Sequence, residues 1–171
     1  MDKVYFDPTY QDTDEGMNCL QFLVYVENMP MIEMLIQKAK TNSLQTWNEK
    51  YKAFDPLTNR QFINLSKRNG VTTLQLAILK RNVDMVKYLT QHGADVNMQD
   101  PISTACPLYL AMKVKAPTNL IDHLLYYSYP QIPKITHPNR RDIEMSPLFL
   151  AIKQRDVPLL KKLVELGHQK K

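Results

Sequence analysis

The 171 residues suit one domain, and 44% hydrophobic with 23% charged residues is the balance of a globular chain, not a disordered or fibrous one. A net charge of +5 with a pI near 9.1 comes from basic pairs (Lys67-Arg68, Arg140-Arg141, Lys161-Lys162, Lys170-Lys171) and not from a long run. This disfavours nucleic acid as a partner and leaves a mild preference for acidic ones. No apolar run reaches the roughly 18 residues of a bilayer span, and residues 1–15 lack the apolar stretch of a signal peptide, so the expectation is a cytoplasmic protein with no membrane contact.

Taken in order, residues 1–15 are acidic but carry Tyr5, Phe6 and Tyr10, and Pro8 argues against a helix, which predicts an arm covering one end of the fold. Residues 16–40 then hold two amphipathic helices. Leu20, Leu23 and Val24 share one face at i, i+3, i+4; Met31, Ile32, Leu35 and Ile36 share another, with Pro30 in a first turn where its missing N–H costs nothing. Residues 41–66 are too apolar for a linker, holding Trp47, Tyr51, Phe54, Leu57, Phe62 and Ile63. They read as an extended hairpin finger, with turn signals at Asp55-Pro56 and Thr58-Asn59 and a short strand through 62–65; the alternative is a loop whose aromatics complete the core. Large insertions on rigid scaffolds often carry function, which makes Trp47 a candidate contact.

Residues 70–97, GVTTLQLAILKRNVDMVKYLTQHGADVN, read as one complete helix-turn-helix unit. Gly70 suits a positive φ, Thr72 is a hydroxyl N-cap, and Leu74, Ala77 and Ile78 share a face, the alanine leaving room for close approach. Asp84 starts a second helix where a negative charge suits the macrodipole; Met85, Val86 and Leu89 form its apolar face, and Gly93 supplies the left-handed residue that ends it. Gly70, Thr72, Leu74, Ala77, Val86, Leu89 and the closing Gly93-Ala94-Asp95-Val96-Asn97 resemble the ankyrin repeat, with its period of about 33 residues and its T-P-L-H-x-A start. Thr73 stands where that family has proline, and Gln75 where it has histidine.

The resemblance extends to three other segments. In the first, Asn18 takes the threonine position and Leu23 the alanine. The third reads ACPLYLAMKVKAPTNLIDHLLYYS, with Pro107, Leu108, Ala111 and Met112 in register, and Leu120, Ile121, Leu124 and Leu125 following one inserted residue near Pro117. A proline-rich finger follows. The fourth has Ser146-Pro147-Leu148-Phe149-Leu150-Ala151 and then Leu159, Leu160, Leu163, Val164 and Gly167. The resemblance thus implies an all-α solenoid, one domain over 1–171, with β-turn or hairpin fingers, repeats at about 16–40, 69–98, 103–128 and 144–168, and insertions at 41–66 and 129–143.

Residues with chemistry do not converge. GxSxG, HExxH and Gly-rich phosphate loops are absent from the sequence, the four glycines fall at turns or caps, and the four histidines are scattered. Cys19 and Cys106 read as packed thiols, Cys106 at a helix-capping position, so a Cys106–His123 pair is a poor nucleophile and base. The expectation is no enzyme, no cofactor and no metal. The family resemblance implies partner binding by finger tips and by the concave face of the first helices. By register the finger positions are Asp14, Glu15 and Met17; Arg68, Asn69 and Val71; Ile102, Ser103 and Ala105; Asp142, Ile143 and Met145. The concave positions are Tyr25 and Val26, Leu79 and Lys80, Lys113 and Val114, Lys153 and Gln154. Three lysines beside apolar neighbours suit a protein partner whose acidic segment carries hydrophobic anchors. A monomeric interaction module is implied, either a host-modulating effector of a virus or bacterium, working in the host cytoplasm or nucleus, or the recruiting segment of a larger enzyme or scaffold.

Overall fold

The computed structural model describes residues 7–12, 14, 16–41, 44–48, 50–51, 53–66, 70–99, 105–128 and 146–168. Its elements in chain order are α1 (Cys19–Tyr25), α2 (Met29–Lys40), β1 (Gln45–Asn48), β2 (Ala53–Pro56), α3 (Asn59–Ile63), α4 (Thr73–Leu79), α5 (Val83–Gln91), α6 (Pro107–Lys113), α7 (Thr118–Ser128), α8 (Pro147–Gln154) and α9 (Val157–His168). The inner helices α1, α4, α6 and α8 lie in one row, each against the next. The outer helices α2, α5, α7 and α9 pair with them from behind.

Local chemistry repeats with the helices. Each inner helix begins at a residue whose side chain accepts the backbone N–H three places on: Asn18 from Gln21 at 3.0 Å, Thr72 from Gln75 at 3.2 Å, Cys106 from Tyr109 at 3.4 Å, Ser146 from Phe149 at 3.4 Å. Asn28, Asn82 and Asp156 do the same for α2, α5 and α9. Between inner and outer helix the chain reverses through a left-handed residue, Glu27, Arg81, Lys115 or Arg155, with φ between 51° and 58°. Gly93, at φ 101°, ends α5, and Ala94 N–H returns to the Leu89 carbonyl. Leu20, Ile32, Ile36, Leu74, Ile78, Val86, Leu89, Leu120 and Leu124 form the continuous core.

Two glutamines tie units together. Gln21 is fully buried; its Oε1 accepts the Asn18 N–H and its Nε2 donates to the carbonyls of Leu65 and Val71, at 3.2 and 3.1 Å. Gln75 closes the same box on Thr72 and donates to the Ala105 carbonyl at 3.1 Å. The residue that departs from the expected histidine thus still bridges one unit's cap to the next unit's entry turn. Thr73 departs with less success: its side chain is buried and its Oγ1 has no partner, whereas Pro107 and Pro147 fill that place in the later units. Thr73→Pro is expected to raise stability by about 1 kcal/mol in chemical denaturation, because proline suits a first helical position and removes an orphaned hydroxyl. Thr72, at ψ 163°, already has the backbone that a following proline demands.

The insertion is partly a finger and partly core. β1 and β2 form an antiparallel hairpin in register Gln45↔Pro56 to Asn48↔Ala53. Leu44 and Leu57, both buried, root it, and the Leu57 N–H meets the Leu44 carbonyl. The expected strand through 62–65 and the turn at Thr58-Asn59 do not form. Thr58 and Gln61 make a reciprocal capping box that starts α3, and Asp55-Pro56 closes β2 and is not a turn. The helix wins because Phe62 and Ile63, neighbours in sequence, are both buried with α3 packed on α2, which an alternating strand would prevent. Asn59 Nδ2 donates to the His92 carbonyl, Asn64 Nδ2 to that of Gly93, and Asn64 Oδ1 accepts the Asp95 N–H. The arm ahead of α1 packs on this assembly through Thr9 on Thr46 and Gln11 on the Ser66 carbonyl.

Between the outer helices, Thr90 Oγ1 donates to the Lys87 carbonyl, so it accepts from His123 Nε2–H at 2.7 Å. Burial, and then the charge of Lys87, lowers the His123 pKa below its usual 6.5. An unfolded chain with an ordinary histidine therefore binds the proton first, so stability present above about pH 6.5 is lost as pH falls toward the lower folded value. His123→Phe should flatten the fall in unfolding midpoint between pH 7 and pH 5 by removing this contribution.

Candidate protein-docking ledge

The C-terminal ends of the four inner helices lie side by side because α1, α4, α6 and α8 pack in one row. Tyr25, Leu79, Lys113 and Gln154 are their last residues, and Val26, Lys80 and Val114 their C-caps. The row forms a ledge. Tyr25, Val26, Leu79, Lys80, Lys113, Lys153 and Gln154 are exposed and Val114 is half-buried. Lysine at these ends suits the negative pole of a helix, and on this ledge it also meets an aromatic ring: Lys80 Nζ sits 4.1 Å from the centre of the Tyr25 ring.

Phe22, which the register did not single out, extends the apolar end of the ledge. It stands three residues before Tyr25, on the same face of α1, and is 54% exposed. Spacing to Tyr25 and Val26 at i, i+3, i+4 was the available signal. The equivalent Leu76 and Leu150 are buried, so the repeat template hides the position.

Several expected finger contacts are elsewhere. Met17 is buried, with its N–H on the Asp12 carboxylate, and Ala105 is buried with its carbonyl on Gln75. Neither is open to a partner. Val71 is half-buried and its carbonyl takes Gln21. Asp14 is exposed. Arg68, Met145, Glu15, Asn69, Ile102, Ser103, Asp142 and Ile143 lie outside the described residues, as does the side chain of Trp47, whose backbone pairs with Phe54 in the hairpin.

Chemistry at the cysteines is muted. Burial pushes Cys19 to about 11 and raises Cys106 as well, while the Cys106 sulfur accepts the Tyr109 N–H. His123 is engaged with Thr90. Among the described residues, no group of three His, Cys, Asp or Glu side chains could hold a metal ion, and no helix is long and apolar enough to cross a membrane.

The family described as "Ankyrin repeats (3 copies)" matches residues 4–100. Two relatives, both named "Ankyrin repeat and SOCS box protein 6", are 48% identical (Mus musculus) and 50% identical (Homo sapiens) over 40 residues, 23% of this chain and 10% of theirs. This chain therefore matches only a tenth of their length. Ankyrin repeats are non-enzymatic modules for binding other proteins. With more than half its length matched by that family and its helix pairs stacked in the corresponding order, this chain belongs to the ankyrin-repeat proteins.

Proposed function

We propose that the chain binds another protein along the ledge, through an acidic segment that sets apolar anchors against Phe22, Tyr25, Val26 and Leu79 and its carboxylates against Lys80, Lys113 and Lys153. The observation that carries this is the exposed, mixed apolar and cationic row itself, with Lys80 already seated on Tyr25. The apolar end gives residence time and the lysines give encounter rate. The chain works as a monomer in the cytoplasm.

Affinity capture from a eukaryotic lysate with the wild type beside Lys80→Glu/Lys113→Glu/Lys153→Glu identifies the partner. Association rates then test the ledge. The triple reversal should slow association roughly tenfold or more at low ionic strength, and the gap should close in high salt. An unchanged low-salt on-rate would refute the reading.

Of the two settings open to such a module, the recruiting segment of a larger protein has an observation in its favour. The two relatives join, by name, ankyrin repeats to a further element, the SOCS box. A host-modulating effector would use the same surface, but no observation favours it over the recruiting segment.

A further inference from the structure

Successive junctions between the outer helices are closed to different degrees. α5 packs along α7, and Thr90 Oγ1 spans them by accepting from His123 Nε2–H at 2.7 Å, with the Tyr127 ring tilted against that imidazole at 4.6 Å. One unit on, Leu125 and Lys162 take the places of Thr90 and His123. Leucine has nothing to offer a donor, and α9 stands further from α7 than α7 does from α5. A cleft of about 260 Å³ opens there, lined by Asp122, Leu125 and Tyr126 of α7 and by Lys162, Glu165 and Leu166 of α9.

The lining has a definite chemistry. Leu125 is buried and Leu166 half-buried, which makes part of the wall apolar. Asp122 and Lys162 pair at 2.7 Å, so their charges offset each other. Glu165 is exposed and carries no ion pair among the described residues, which leaves one unmatched carboxylate in the cleft. Tyr126, in the place of Gln91, is 78% exposed, and a T-shaped contact with Tyr127 at 5.3 Å steadies its ring.

An aromatic face, a carboxylate and an apolar wall are the three surfaces that an arginine side chain uses. Its guanidinium stacks on a ring and forks onto a carboxylate, and its aliphatic stem covers apolar surface. A carboxylate or phosphate in the same place would face Glu165, and a purely apolar side chain would cover that charge without matching it.

We propose that the cleft between α7 and α9 is a binding site for an arginine side chain presented by a basic segment of a partner protein, with the guanidinium between Tyr126 and Glu165. The site belongs to the outer row of helices, whereas the ledge lies at the ends of the inner row, and it selects the opposite charge.

The probe is the end-blocked peptide Gly-Gly-Arg-Gly-Gly, beside the same peptide with citrulline, which keeps the shape of arginine without its charge. Titration of nitrogen-15-labelled protein should give saturable amide shifts at Tyr126 and Glu165 with the arginine peptide. Citrulline should bind at least roughly fivefold more weakly, and high salt should narrow the gap. Glu165→Gln should remove most of the preference for arginine over citrulline, whereas Tyr126→Leu should weaken both peptides and keep the preference. Should Tyr126→Leu lose helicity, Tyr126→Phe takes its place and should bind as the wild type does, since the ring face is retained. Absence of saturable shifts at Tyr126 and Glu165, equal binding of the two peptides, or an arginine preference untouched by Glu165→Gln would each overturn the proposal. So would shifts confined to the acidic arm ahead of α1.

Discussion

Phe62→Ala should destabilise the protein by about 3–5 kcal/mol and lower its melting temperature by roughly 10 °C, because a fully buried aromatic leaves a cavity that the surrounding helices close only in part. The position lies in α3, outside the four pairs of inner and outer helices. It nonetheless belongs to α3, which packs on α2 and is tied to the end of α5 by the Asn59 Nδ2 bond to the His92 carbonyl. Tyr51→Ala, at a ring 67% exposed near the hairpin tip, should change stability by no more than about 0.5 kcal/mol. Chemical denaturation of the two variants side by side is the test. Equal, small effects would mean that the insertion is an ornament and not part of the core.

Gln21→Met is the second large effect, about 2–4 kcal/mol. It removes three hydrogen bonds from a fully buried side chain: one from the Asn18 N–H and two to the carbonyls of Leu65 and Val71. Methionine fills the volume, so the loss measures unmade polar contacts and not a void. At the equivalent position, Gln75→His should cost less than about 1 kcal/mol, since an imidazole can still donate to the Ala105 carbonyl. A methionine variant as stable as the wild type would show that apolar stacking alone sets the register between α1 and α4.

The repeat was legible because its signals are local. Thr72, Gly70 and Gly93 do in the structure what their chemistry predicts, and the leucine periodicity of α4 to α7 places the core correctly. What escaped depends on neighbours. Phe62, Ile63, Asn64 and Leu65 carry no period long enough to separate helix from strand, and the Thr58–Gln61 box that decides the matter is only a weak signal in a short segment. Met31 and Val164 look like core residues of their helices but are exposed at the two ends of the stack, where no further helix pair covers them. At the ledge, the register puts Tyr25, Leu79 and the lysines on one rim and the structure leaves them exposed, whereas the register hides the equally exposed Phe22. The repeat template describes the average unit, and the first unit is not average.

The left-handed turn residues have a directional consequence. Each of the four carries a charge, and in chain order these run Glu27, Arg81, Lys115, Arg155, one negative followed by three positive. The ledge beside them changes in the same sense, from aromatic and aliphatic at α1 to cationic at α8. A ribbon of protein laid along it therefore meets a compass. Placed one way, its greasy end finds Tyr25 and its acids find lysine; turned end for end, the acids face Glu27 and the anchors face Lys153. The fold sets the left-handed φ of the four reversals and the sequence sets their charges; together they would give an acidic ligand of the proposed kind a heading before it makes a single contact.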